Sequence, residues 1–260
     1  MKHFKTSIIL LAFCLLGSSC RELDTINTLK KVGNNRYLYE MEYLADYDLD
    51  DVIASDIDSN GKLVRYVMNR LGIKKMPVDT AMSEVNCTSF QAKNADGPGY
   101  LFGRNFDMFK NPTMVLVSRP KNGYASISVQ NMQFMGYSLE KLPKGIFSKL
   151  MALAAIYVPM DGMNEKGLCT SIMALPKQPA YQDSGKHKVG TTILMRLFLD
   201  RCATVPSWRG LTSATTGRSG AATTIWSQTH PGNARSSNST RRTVGRRWSS
   251  GKRKVPKVWW

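Results

Sequence analysis

Cys87, Arg104 and Asp107 are the residues of this sequence whose types and spacing could together support nucleophilic chemistry. They lie on or beside two short alternating segments, CTSFQAK and GYLFGR, which a turn rich in Gly and Pro separates. If these segments pair as an antiparallel hairpin, the arginine and aspartate side chains return to the cysteine. A neighbouring cation favours the thiolate, which is the reactive form of cysteine.

A cysteine nucleophile needs a general base, and the three histidines are poorly placed for that role. His3 lies in the N-terminal segment and His230 in an unusual C-terminal tail, while His187 lies in a polar loop that is typical of a solvated surface residue. The other available base is an α-amino group, whose pKa of about 7.7–8.0 suits proton transfer near neutral pH. This base requires a cut between Asn86 and Cys87, so that one residue carries both thiol and amine.

Each of these residues also has a simpler interpretation. A single cysteine on a strand is usually a small buried apolar residue, and an Arg and an Asp three positions apart usually form a surface ion pair. Cys169 and Cys202 are predicted to be such core residues. The cysteines lack the spacing of a zinc site, so neither a metal nor a cofactor is expected.

One segment mimics a calcium loop. In DIDSNGKLVRYV, Asp56, Asp58, Asn60 and Gly61 occupy the expected positions, but the twelfth position, where a bidentate Glu belongs, is Val67. The pattern favours a turn followed by the first residues of a helix.

The first twenty residues predict export. A basic start, an apolar run over residues 8–16 and small residues before Cys20 are typical of a secretory signal, and the apolar run is too short to span a membrane. The small residues before Cys20 resemble the lipobox of bacterial lipoproteins, in which that cysteine is lipidated. Because Gly17 replaces the usual Leu, plain secretion is the alternative.

The net charge of +17 is concentrated in residues 204–260, which contain eleven Lys and Arg residues and no Asp or Glu, leaving +6 elsewhere. All five tryptophans also lie there, whereas every Met, Tyr and Phe precedes it. One interpretation is a basic arm that binds anionic surfaces. The favoured hypothesis is translation in a shifted frame beginning after Asp200, because a shifted frame over residues 223–239 permits HYLVADAS and then VVEF, an ordinary strand pair.

The remaining sequence predicts an α+β domain. Alternation predicts a strand over residues 36–43, and helical periodicity predicts helices over 61–71, 145–157 and 190–202. Short strands are predicted from Cys87 onward in CTSFQAK, GYLFGR, TMVLVSRP, YASISVQ and LCTSIMAL, with a turn over residues 161–167.

Three motifs occur in series: the Cys-Thr-Ser opening at Cys87, the Gly-Arg-Asn-x-Asp box that contains Arg104, and DGMNEKGL over residues 161–168. Together they resemble the choloylglycine hydrolase family of linear amide C–N hydrolases. That family includes bile salt hydrolases, penicillin V acylases and acid-ceramidase-like amidases, and it belongs to the N-terminal nucleophile hydrolases. The resemblance covers about residues 36–203.

The resemblance implies a four-layer αββα sandwich, incomplete at the C-terminus, that cuts itself before Cys87. Cys87 would then be nucleophile and, through its amine, base; Arg104 would support the thiolate, and Asp107 would hold the amine. The expected organisation is a signal peptide with a lipobox-like end over 1–20, a pre-nucleophile segment over 21–86 that is either lost or retained as a small subunit, the N-terminal part of the hydrolase domain over 87–203, and an out-of-frame tail over 204–260.

The resemblance implies a small-molecule amide as partner, no nucleic acid, and membrane contact only through an N-terminal lipid; it leaves a homo-oligomer open for a full-length chain. Conjugated bile salts, penicillin V and N-acyl amides are the candidate substrates. Ala174 stands where bile salt hydrolases carry an oxyanion-side Asn, and the family's later catalytic residues fall beyond residue 203. An inactive product of a frameshifted gene and a basic surface-binding protein are the alternative functions.

Overall fold

The computed structural model describes residues 19–72, 86–107, 111–174, 186–205, 207, 215–217, 221–227 and 235–237. These residues form α-helices α1 (Ser19–Asn27), α2 (Leu49–Ala54), α3 (Asn60–Leu71), α4 (Gly145–Leu150) and α5 (Thr191–Arg201), with 3₁₀ helices at Met132–Met135 and Met151–Tyr157. The strands are β1 (Lys30–Lys31), β2 (Leu38–Tyr43), β3 (Asn86–Lys93), β4 (Tyr100–Asp107), β5 (Thr113–Ser118), β6 (Ser126–Asn131), β7 (Asp161–Asn164), β8 (Leu168–Ala174), β9 (His187–Val189), β10 (Thr215–Gly217), β11 (Ala221–Ser227) and β12 (Arg235–Ser237).

The largest sheet has eight strands in the order β1-β2-β5-β6-β7-β8-β11-β12. Strands β2 and β5 run parallel, whereas the other neighbours in this sheet are antiparallel. Burial alternates along β2 and β5, so that Met41, Met114 and Leu116 face a covered side of the sheet. Strands β3 and β4 form a separate two-stranded sheet, and β3 contacts β8.

The helices pack against the large sheet and bury its apolar side chains. The 3₁₀ helix at Met151–Tyr157 has six consecutive buried residues, from Ala152 onward, and α1 adds the fully buried Ile26. Helix α5 packs on β7 and β8, where Phe198 and Leu168 belong to one buried apolar cluster. Helices laid on a large sheet, with a second sheet beside it, confirm the predicted α+β class. Within the described ranges, no helix has the length and apolar character needed to cross a membrane.

Residues 21–72, the described part of the predicted pre-nucleophile segment ahead of β3, are built into the core. Their strand β2 lies inside the large sheet, between β1 and β5. The hydroxyl of Tyr47 donates to the buried carboxylate of Asp200 at 2.5 Å, and Arg201 pairs with Asp50 at 3.0 Å. Both contacts tie the segment to α5, which lies on the other side of the predicted cleavage point.

Most predicted elements are confirmed within a few residues, and two are wrong. The helix predicted over residues 145–157 divides into α4 and a 3₁₀ helix, because every side chain from Ala152 to Tyr157 is buried and no exposed face remains to define a period. The turn predicted over residues 161–167 begins as strand β7, whose pairing with both β6 and β8 overrides the local preference of Gly and Asn for turns.

The segment that mimics a calcium loop begins helix α3, as predicted. Ser59 is the N-cap, and its hydroxyl accepts a hydrogen bond from the backbone N–H of Lys62. Val67, which takes the place of the calcium-binding glutamate, is 2% exposed and packs in the core. The sequence therefore uses this position for packing.

Two segments of the basic C-terminal region join the large sheet. Strand β11 pairs along the whole of β8, and β12 pairs with β11. The open edge of β8 offers backbone donors and acceptors to any segment that can extend, and β11 is rich in Thr, Ile and Trp, which favour strands. The reading-frame hypothesis concerns the coding DNA and stays a prediction.

Gly162 is closely packed in the middle of the large sheet. A Cβ atom there would lie 2.7 Å from the backbone oxygen of Ile127 and 2.9 Å from a methyl of Leu199. Gly162→Ala is therefore expected to lower the free energy of unfolding by about 1–3 kcal/mol, as overpacking in a core does. Urea denaturation of the variant and the parent chain measures the difference.

Gly61 provides the matched control for that substitution. It lies in the first turn of α3, and nothing would lie within 4 Å of an added Cβ. Gly61→Ala is expected to raise the free energy of unfolding by about 0.4–1 kcal/mol, because alanine loses less backbone entropy on folding. Equal stability of the two alanine variants would contradict the packing described for Gly162.

Candidate active site

The hairpin of β3 and β4 carries the predicted nucleophile. The strands pair antiparallel over their full length, from Asn86 opposite Asp107 to Lys93 opposite Tyr100. The connecting turn is closed by a hydrogen bond from the backbone N–H of Asn94 to the oxygen of Gly99, at 3.0 Å. Gly99 has a φ of +97°, which an L side chain would disfavour, so the Gly/Pro turn read from the sequence directly serves this hairpin.

The register determines which side chains share a face. Residues directly opposite each other in an antiparallel pair project to the same side, as do alternate residues along a strand. Cys87 is opposite Phe106, and Ser89 is opposite Arg104, so these four side chains lie on one face of the hairpin. The Nη2 atom of Arg104 lies 3.7 Å from the Cys87 sulfur, which brings the predicted cation to the predicted nucleophile.

Arg104 is held by several contacts. Its Nη2 donates to the backbone oxygen of Ile172 at 2.9 Å, and its guanidinium lies 4.2 Å from the centre of the Phe106 ring. Its side chain is 5% exposed. Burial lowers the pKa of Arg104, while Asp161 and Cys87 oppose this shift. Guanidinium remains protonated under such conditions, so the site contains a buried positive charge next to the thiol.

Asp107 occupies a different position from the one expected. It is opposite Asn86, so its side chain projects on the face of the hairpin away from Cys87. It is exposed, and its carboxylate accepts a hydrogen bond from Asn105 at 2.6 Å. The expectation that both Arg104 and Asp107 return to the thiol holds for Arg104 alone. The Asp107 carboxylate instead lies across from the residue that precedes the predicted cut.

Asp161 is a site residue that the sequence reasoning missed. Its Oδ2 lies 3.4 Å from Nε of Arg104, and its side chain is 16% exposed. Burial raises the pKa of Asp161 to about 6, and the attraction of Arg104 opposes this rise. The signal was present as the first letter of DGMNEKGL, but its partner is 57 positions earlier in the chain.

The sheet explains why Asp161 faces the hairpin. The neighbouring Gly162 faces α5, because its Cβ would meet Leu199, and Thr170 opposite it contacts Met195 of the same helix. Alternation then places Asp161 on the side of the sheet away from α5, together with Ser171. A thiol, a guanidinium and a carboxylate thus form a continuous series across two sheets, with the cation in the middle.

The remaining predicted residues have the following positions. His187 is exposed and lies 3.3 Å from Asp56, which confirms the surface interpretation. Cys169 and Cys202 are buried core residues, as predicted, and burial raises the pKa of each to about 11. Three further predicted residues lie elsewhere: Cys20 is exposed in α1, while His3 and His230 are outside the described residues.

Ala174 ends β8. Across the part of the chain that the structure describes, no group of three or more His, Cys, Asp or Glu residues is placed to hold a metal ion.

Comparison with solved structures finds partial similarity. One is a mutant of conjugated bile acid hydrolase from Clostridium perfringens, with 18% identity and a TM-score of 0.38 over 55% of this chain and 45% of that one. Another is penicillin V acylase from Agrobacterium tumefaciens, with 13% identity and a TM-score of 0.28 over 60% of this chain and 39% of that one. The chain thus spans less than half the length of these structures. No curated protein matches the sequence.

A protein-family model matches part of the chain. Residues 87–213 match the model described as linear amide C–N hydrolases, choloylglycine hydrolase family. The match begins at Cys87, the residue whose sulfur lies beside the Arg104 guanidinium, and it includes Arg104 and Asp161. This match confirms the resemblance of the chain to the choloylglycine hydrolase family of linear amide C–N hydrolases, which three motifs in the sequence had indicated.

Proposed function

We propose that the chain hydrolyses linear, non-peptide amide C–N bonds with Cys87 as the nucleophile. The observation that carries this proposal is the 3.7 Å approach of Arg104 Nη2 to the Cys87 sulfur, at the start of the matched region. Cys169 and Cys202 have buried thiols with a pKa raised to about 11, so they remain protonated near neutral pH. Cys87 is the partly accessible thiol beside a cation.

Self-cleavage is the first step of the proposed mechanism. The Cys87 sulfur attacks the carbonyl carbon of Asn86, and the peptide C–N bond breaks as the new α-amino group takes up a proton. The resulting thioester is hydrolysed by water, which leaves a carboxylate on Asn86 and a free thiol on Cys87. In this proposal the exposed carboxylate of Asp107, which is opposite Asn86 in the hairpin, would hold the α-ammonium group that forms.

Turnover would use the same two groups of Cys87. The thiolate attacks the substrate carbonyl, and the α-ammonium group donates a proton to the departing amine as the C–N bond breaks. Water, deprotonated by the α-amine, then attacks the thioester and releases the acid and the thiolate. Arg104 favours the thiolate in both half-reactions, because a fixed cation stabilises the charged form of sulfur.

The proposed substrate class is supported by the match to the model described as linear amide C–N hydrolases. Two of the similar structures are a conjugated bile acid hydrolase and a penicillin V acylase, and these names suggest which amides to try first. Conjugated bile salts, penicillin V and N-acyl amides are therefore the proposed substrates. The chain itself would be exported and anchored through a lipid on Cys20, which is exposed in α1.

The test combines fragment analysis with a substrate panel. Intact-mass and N-terminal analysis of the purified chain should show a fragment that begins at Cys87. Incubation with a glycine-conjugated bile salt, penicillin V and an N-acyl amine should release amine from at least one of them. An uncut chain that releases no amine from any of the three compounds would refute the proposed function.

A further inference from the structure

We propose that Asp161 is a positioning residue that holds the Arg104 guanidinium beside Cys87 and limits how strongly that guanidinium favours the thiolate. The inference deepens the proposed function and rests on the role of Cys87 as nucleophile. Its basis is geometric: Oδ2 of Asp161 is 3.4 Å from Nε of Arg104, and Nη2 of the same guanidinium is 3.7 Å from the sulfur. Arg104 thus lies between a carboxylate and a thiol.

Arg104 needs this carboxylate because two of its three guanidinium nitrogens are buried with no hydrogen-bond partner among the described residues. A charged group removed from water must be paired and hydrogen-bonded, or its burial is strongly unfavourable. Nη2 donates to Ile172, but Nε and Nη1 are buried and lack a hydrogen-bond partner among the described residues. Asp161 supplies the negative charge on the Nε side, and so it fixes both the direction and the effective charge of the guanidinium.

The surroundings of the pair leave few competing charges. Arg104 of β4 is the charged group that acts on Asp161. Arg104 in turn is influenced by Asp161, by Cys87 of β3 and by Asp107 of β4. The residues paired with Asp161 in the sheet are uncharged: Val129 on β6 and Ser171 on β8. Removing the Asp161 charge therefore isolates one interaction.

The sign of the effect follows from the ionisation of Asp161. Burial raises the pKa of Asp161 to about 6, so the carboxyl group is neutral below that pH and ionised above it. Near pH 7 to 8, ionised Asp161 compensates part of the Arg104 charge and weakens its pull on the thiolate. An Asn at this position keeps the shape of the side chain but removes the compensating charge.

The experiment measures the alkylation of Cys87 by iodoacetamide as a function of pH in the full chain, with the label located by peptide mass spectrometry. In Asp161→Asn, the midpoint pH of alkylation should fall by about one unit, the smaller end of the effect of a nearby charge, because Asp161 acts through Arg104. Below the midpoint, this corresponds to alkylation about tenfold faster than in the parent chain. An unchanged or higher midpoint would overturn the proposal.

Two further variants separate positioning from general damage. Asp161→Glu keeps the charge and should keep the parent midpoint. A fall of about one unit in this variant would overturn the proposal, whether or not the Asn variant folds. In an Arg104→Gln background, Asp161→Asn should no longer shift the midpoint, because the guanidinium is absent. A shift of the same size in that background would show that Asp161 does not act through Arg104.

The control is Asp96→Asn, which removes an exposed carboxylate from the turn at the far end of the same hairpin. It should leave the alkylation profile unchanged. The readout needs no substrate, so it distinguishes this inference from the proposed function. If Asp161→Asn shifts the profile while no amide is hydrolysed, the proposed function fails and the positioning role stands. If an amide is hydrolysed and the profile does not shift, the positioning role fails and the proposed function stands.

Discussion

The Cys87→Ala variant is expected to remain one uncut chain and to lose amide hydrolysis by a factor on the order of 10⁶, the size of effect seen when a catalytic nucleophile is removed. The methyl group cannot attack the Asn86 carbonyl, so neither the cut nor the thioester can form. Buried Cys169 and Cys202 cannot replace it, since each thiol is buried and has a pKa raised to about 11. Gel analysis shows the cut, and amine release shows the turnover.

Thr88→Ala is the matched control for Cys87→Ala. Thr88 is the next residue along β3, but it is exposed and projects on the face of the hairpin away from Arg104. The control variant should be cut and should hydrolyse amides like the parent chain. Two fragments of unchanged size from Cys87→Ala would remove Cys87 from the cleavage mechanism.

After cleavage, residues 21–86 are expected to stay bound to the remainder as a small subunit. Size-exclusion chromatography in native buffer should give one peak that contains both fragments, and the same sample in guanidinium chloride should give two. The reason is the position of β2, which pairs with β5 over six residues, from Leu38–Thr113 to Tyr43–Ser118. The cut at Asn86 breaks none of these contacts.

The magnitudes favour retention. Among the described residues of this segment, twelve hydrophobic side chains are buried, including Ile26, Met41 and Val52. A fully buried large apolar side chain contributes roughly 1.5–3 kcal/mol. Association of two bodies costs an estimated ~4–15 kcal/mol in lost freedom, which this burial exceeds.

Two neighbouring positions of β2 test the explanation. Met41 is 2% exposed and faces the core, whereas Glu40 faces solvent in an exposed ion pair with Lys30. In the cleaved protein, Met41→Ala should lower the guanidinium concentration at which the fragments separate, because it leaves a cavity worth about 2–5 kcal/mol. Glu40→Ala should leave that concentration almost unchanged. Loss of the small fragment from the parent chain in native buffer would contradict the expected retention.

Local sequence patterns predicted those elements that bury one side and expose the other. Strand β5 and helix α3 each bury one side, so alternation or helical period alone finds them. Strand β7 has turn-forming residues, but its pairing with β6 and β8 on either side keeps it extended. Of these two neighbours, β6 is distant in sequence and β8 follows β7 along the chain. Such elements depend on neighbours that a local window does not contain.

The site divides in the same way. The approach of Arg104 to Cys87 could be predicted because both lie on one hairpin, whose register a short turn fixes. The opposite orientation of Asp107 was missed because the exact register was not assigned. Asp161 was missed because its meeting with Arg104 requires two separate sheets to pack together, which no spacing along the chain reveals.

The parallel pairing of β2 with β5 determines whether folding must come before the proposed cleavage. In the uncut chain the two strands are joined covalently, so their pairing is a first-order process that does not depend on concentration. Once the bond before Cys87 is cut, recovery from unfolding requires two separate molecules to meet, and its rate falls with dilution. Dilute cleaved protein that unfolds would then be lost rather than recovered. A folded molecule with a free amine on Cys87 would thus be one that folded before it was cut.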